Sequence, residues 1–101
     1  MDRESFINWL LVRDAKGMSV GVGRDSHECP LACYIRSTDP DIALVTIATR
    51  SYTTSDRHNK RRNHELPLWA QNFVRRIDSK PYTNQSGTIS ADVALKTLLE
   101  G

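Results

Sequence analysis

The segment "SHECPLACYIR", residues 26–36, holds both cysteines and one of the three histidines of the chain. Zinc accepts thiolate and imidazole ligands in a tetrahedral set. Cys29 and Cys33 stand four apart, so on a helix they share a face. His27 offers a third ligand, and His58 or His64 a fourth. The spacing differs from that of common zinc modules, which use two close pairs, one of them Cys-x2-Cys. His27, Cys29 and Cys33 are therefore weak metal candidates, and no cofactor is expected.

The same thiols invite a redox reading. A thiol at a helix N-terminus is acidified by the free amides and the helix dipole, and Cys29, directly before Pro30, stands at such a place. The working redox pair is Cys-x2-Cys, however, and an i, i+4 pair aims its Cβ vectors poorly for a disulfide. The reading that fits best is structural: free cysteine behaves as a small buried apolar residue. Cys33, between Ala32 and Tyr34, suits that role. At the helix mouth Cys29 reacts only if its thiol is exposed.

Upstream, "VGVGRDSHECP" has a strand, two glycines and a helix N-terminus in the outline of a phosphate cradle. The dinucleotide fingerprint needs a third glycine where Ser26 stands, and Asp25 and Glu28 repel phosphate. The glycines then serve a turn of positive φ or the close approach of another backbone.

The stretch "RHNKRRNH", residues 57–64, carries Arg57, Lys60, Arg61 and Arg62 and no acid. The whole chain is only +2, with 14 basic and 12 acidic residues, so the basicity is local. His58 and His64 add charge at lower pH. Arg75, Arg76 and Lys80 extend the patch if the following helix turns them the same way. Such a patch suits an acidic protein surface, nucleic-acid phosphates, or simply a solvated loop with no partner. No aromatic residue interleaves it in sequence, so a base-stacking platform is not indicated. No Walker loop, Gly-x-Ser-x-Gly elbow, His-Glu-x-x-His, helix-turn-helix or zinc finger is present.

The elements that must position these residues follow from periodicity. Phe6, Trp9, Leu10 and Arg13 give a helix over residues 3–13, with Ile7 and Leu11 widening its apolar arc and Asp2 as N-cap. "MSVGVG" alternates as a short strand. Pro30 opens a helix to about Ser37, with Cys29 as its N-cap. Residues 42–48 are apolar on both faces apart from Thr46, which predicts a central, largely buried strand. Residues 55–65 read as a polar basic loop. Pro67 opens a helix to about Asp78, with Trp69, Phe73, Val74 and Ile77 on one face. Ser90 caps the last helix, and Ile89 staples it against Ala94.

The order predicts one α+β domain over residues 1–101, about four helices on a two- or three-stranded sheet. A two-stranded sheet is marginal, so a third strand is expected from residues 80–84 or from a second copy in a homodimer. The apolar run at residues 9–12 is too short to span a bilayer, the N-terminus lacks the pattern of a secretory signal, and two cysteines are too few for a disulfide scaffold. A cytoplasmic protein without a membrane partner is expected. The blocks "CPLACYI", "ELPLWAQNFV" and "TISADVALKTLL" look like the core of a small bacterial or phage protein, and no function is carried over from that likeness. The leading expectation is a non-enzymatic binding or regulatory module acting on a protein partner, of phage or mobile-element type. A nucleic-acid accessory protein using residues 57–64 is the alternative, and a zinc-stabilised module the second.

Overall fold

Asp2 begins the first helix by accepting hydrogen bonds from the Ser5 N–H at 3.1 Å and the Ser5 hydroxyl at 2.8 Å. Those bonds hold its carboxyl below the usual carboxylate range and satisfy one of the otherwise unpaired amides of the first turn. The computed structural model describes residues 1–23, 25–79 and 87–100. In chain order the elements are α1 (Arg3–Ala15), β1 (Ser19–Val22), α2 (Pro30–Thr38), β2 (Ile42–Ile47), β3 (Ser51–Asp56), β4 (Arg61–Glu65), α3 (Leu68–Ser79), β5 (Thr88–Ser90) and α4 (Ala91–Leu99). The predicted α+β class is observed: the described residues form four helices and two antiparallel sheets, β1-β5 and β2-β3-β4. Lys80 and the strand expected at residues 80–84 lie outside the described residues.

The caps fall where the sequence places them. Cys29 is the extended N-cap of α2 with Pro30 at its first position, and the Ser90 hydroxyl accepts from the Val93 N–H at 3.2 Å. Helix α1 packs on α4, α4 on α3, and α2 bridges the sheets by packing on β1 and β2. An aromatic cluster ties α1, α2 and α3 together. Phe6, fully buried, lies 5.1 Å from the Tyr34 ring and 5.2 Å, edge-on, from the Phe73 ring. Buried aromatics of this size dominate core energetics. Leu11, expected to widen the apolar arc of α1, is instead 47% exposed.

Gly21 settles what the glycines are for. A Cβ built there would lie 2.5 Å from the Glu28 carbonyl oxygen, and its φ is +155°. Two backbones meet at this point, and the Val22 N–H donates to the Glu28 carbonyl at 2.8 Å.

Two expectations are corrected. Strand β2 is an edge strand, not a central one, and Leu44 is 44% exposed. Its apolar run looks two-faced because of a bulge: Ile42 pairs with Asp56 and Leu44 with Ser55, which leaves Ala43 extra. The bulge shifts the alternation by one residue, so Ile42, Val45 and Ile47 turn toward the core while Leu44 faces outward. The basic segment expected as a loop at residues 55–65 is the second half of a hairpin, with β3 central and β4 at the other edge. Its polar sequence shows no apolar alternation, and the pairing is supplied by β2 through β3.

Candidate interaction surface

The hairpin tip is built by one carboxylate. Asp56 Oδ1 accepts from the His58 N–H at 2.8 Å and the Lys60 N–H at 3.0 Å. Those bonds, that from Lys60 foremost, hold its carboxyl below the ordinary range. Asn59 takes the left-handed conformation at φ 62°, which asparagine tolerates better than most residues. Arg57, His58 and Lys60 are thereby displayed on the exposed turn.

Strand alternation sorts the rest. Tyr52 pairs with His64, Thr54 with Arg62, Thr53 with Asn63 and Ser55 with Arg61. Tyr52, Thr54, Arg62 and His64 thus share the face that carries Val45 and Ile47, and Arg61 and Asn63 lie on the opposite face with Leu44. The inner face runs past α2 into a cleft of about 440 Å³, where Lys60, Arg62 and His64 meet Asp39, Asp41, Asp56 and Tyr34. His64 is locked there. Its ring stacks on Tyr52 with centroids 4.6 Å apart, and its Nε2 lies 3.0 Å from the Thr54 hydroxyl. Burial pushes the Tyr52 phenol up.

The basic residues expected to form one patch are divided. Arg61 and Arg62 point to opposite faces of the sheet. Arg75 lines a hollow with Ile47, Ala48 and Thr49, at the β2–β3 turn, the end of the sheet away from the hairpin tip. Arg76 is partly buried on α3. Among the described residues no carboxylate forms an ion pair with Arg57, Lys60, Arg61 or Arg62. Tyr52 and Thr54 were not legible as site residues. An aromatic does accompany the basic strand, but across the ladder and not along the sequence. The signal available was the β-branched run "SYTTS" followed by a turn bounded by Asp56 and Asn59.

The two edges of the three-stranded sheet differ. The β3–β4 ladder ends in bonds from the Asp56 N–H to the Lys60 carbonyl and from the Leu66 N–H to the Arg50 carbonyl. In an antiparallel ladder such bonded pairs alternate with unbonded ones. The backbone groups of Arg62 and His64 therefore point at β3, and those of Arg61, Asn63 and Glu65 point outward. At the opposite edge, the Ile47 N–H points outward from β2 and donates to the Ser26 carbonyl at 2.9 Å. One edge is covered at Ile47 by the segment before α2, and at the other no backbone partner meets the outward groups of Arg61, Asn63 and Glu65 among the described residues.

The cysteine segment is a folding element. Cys29 is 3% exposed, and its thiol is pushed up to about 11 by burial, which outweighs the pull of the Ala32 and Leu31 amides. Cys33 is half-buried, also raised by burial, and its Sγ donates to the Glu28 carbonyl at 3.4 Å. Glu28 instead grips Arg36 through two bonds of 3.1 and 3.0 Å. His27 is exposed beside Asp25, whose carboxylate accepts from the His27 and Glu28 amides at 2.9 and 3.1 Å. The amides that would cradle a phosphate there already have an internal acceptor. Among the described residues no three His, Cys, Asp or Glu side chains are placed to hold a metal. Nor, among them, is any helix long and apolar enough to cross a membrane.

No protein-family model, curated protein or solved structure matches this chain.

Proposed function

We propose that this chain is a small non-enzymatic binding module of the cytoplasm, and that it contacts other protein by taking an extended segment onto β4. The β4 edge, open among the described residues, carries this reading. Arg61, Asn63 and Glu65 present outward N–H and C=O groups, and β4 packs chiefly on β3. Main-chain pairing at such an edge gives affinity, and side-chain pockets beside it give selectivity. Here the cleft brings Lys60, Arg62 and His64 together with Asp39, Asp41 and Asp56, whereas Arg61 on the opposite face has no ion pair among the described residues, which favours an acidic side chain of the incoming segment directly against Arg61.

Titration of isotopically labelled protein, at low micromolar concentration, with a peptide alternating Glu and Val tests the reading. The Arg61, Asn63 and Glu65 amides are expected to shift and gain exchange protection. The Arg62 and His64 amides, already bonded to β3, keep the protection they have. Peptide that leaves all three outward amides unchanged defeats the proposal.

Nucleic acid remains the second reading, favoured by the cations Arg57, Lys60, Arg61 and Arg62, which have no ion pair among the described residues. It requires binding that weakens steeply with salt and a slope that flattens in Arg61→Ala/Arg62→Ala. No binding of duplex or single strand at low salt ends it.

A further inference from the structure

Resting on the strand-addition reading, we propose that the segment taken onto β4 is β4 of a second copy, running antiparallel about a two-fold axis through Asn63. The argument is one of phase and charge. The outward-pointing residues are Arg61, Asn63 and Glu65, so a pairing partner must set its own outward residues against these. The sequence of β4 is Arg-Arg-Asn-His-Glu. Pairing about Asn63 sets Arg61 against Glu65 of the second copy, Asn63 against Asn63, and Glu65 against Arg61. All three outward residues are then in bonded register at once, and both ends of the strand carry an opposite-charge pair.

The neighbouring registers, Arg61 with Asn63 or Asn63 with Glu65, both lose the Arg61–Glu65 pairs. A shift that pairs Arg61 with Asn63 puts Arg62 directly opposite Arg62, and like charges so placed are destabilising. Parallel pairing would set the basic ends of both strands side by side. The symmetric register is also isologous, as a two-fold dimer requires. It would join two three-stranded sheets into one of six strands. Because the axis stands perpendicular to the sheet, the two clefts would open on the same side.

Charge reversal tests this on a surface strand, with Arg61 and Glu65 both exposed and without ion pairs among the described residues. Sedimentation over a concentration series up to about 1 mM, weak self-association falling in the millimolar range, is expected to show a monomer–dimer equilibrium. Arg61→Glu and Glu65→Arg should each weaken it about tenfold, since each places two like-charge pairs in the dimer. The double variant Arg61→Glu/Glu65→Arg should restore it. In the dimer the Arg61, Asn63 and Glu65 amides gain protection with rising concentration. A chain that stays monomeric throughout, or a dimer indifferent to the single reversals, overturns the inference. If the monomeric chain still takes up the acidic peptide on those amides, strand addition stands and self-pairing falls.

Discussion

His64 and Tyr52 face each other across one rung of the β3–β4 ladder, their ring centroids 4.6 Å apart and their planes 15° from parallel. The stack and the Thr54 hydroxyl fix the imidazole at the mouth of the cleft. His64→Phe keeps a ring over Tyr52 but leaves the Thr54 hydroxyl, on a residue 8% exposed, without its partner. It should lower unfolding free energy in urea by about 1–2 kcal/mol. A neutral effect would show that the hydroxyl reaches water.

Gly21 and Gly17 both have positive φ but should answer alanine differently. At Gly17 nothing among the described residues lies within 4 Å of a built Cβ, whereas at Gly21 backbone atoms of three residues lie within 3 Å. Gly17→Ala should cost about 1 kcal/mol, from conformation alone. Gly21→Ala should cost roughly 3 kcal/mol or more, because strain and overlap add and neither backbone can yield freely. Equal shifts in denaturant midpoint would contradict the close approach.

Cys29 should be inert in the folded protein. With iodoacetamide at pH 8, Cys33 is expected to react first and Cys29 only as the chain unfolds, because the thiolate is the nucleophile and the Cys29 thiol is both covered and raised to about 11. The linkage has a sign. A thiol that holds its proton more tightly when folded stabilises fully below the unfolded value, 9.0, and that contribution is lost as pH rises through about 11. Stability should therefore fall over that window, and less steeply in Cys29→Ala. Alkylation of Cys29 at the rate of an unfolded thiol would refute the burial.

Asp56 controls the hairpin tip. Its lowered value means that its contribution is present above the ordinary aspartate value of 3.8 and is lost as pH falls below it. Asp56→Asn, which keeps an acceptor, should retain slow exchange at the Lys60 amide, whereas Asp56→Ala should release it. Equal exchange in both variants would show that the turn holds without the side chain.

The helices were legible because their signals are local. Asp2, Cys29 with Pro30, and Ser90 act within one turn of chain, and each cap lies where the sequence puts it. Strands β3 and β4 were not, because "SYTTSD" and "RRNHE" carry no apolar alternation. They are held by pairing with β2, a relation between distant residues. The candidate surface was half legible for the same reason. Lys60, Arg62 and His64 could be named from composition, but Tyr52 and Thr54 come to them across the ladder, and Asp39 and Asp41 from the turn after α2.

The hydrogen bond from the Ile47 amide to the Ser26 carbonyl bears on what crowding does to this protein. A sheet with two free edges can add copies without end and grow into fibres. Here the far edge is occupied at Ile47 and bent by the bulge at Ala43. Copies that join through β4, as proposed, leave no further β4 to offer, so this edge builds a pair and not a fibre.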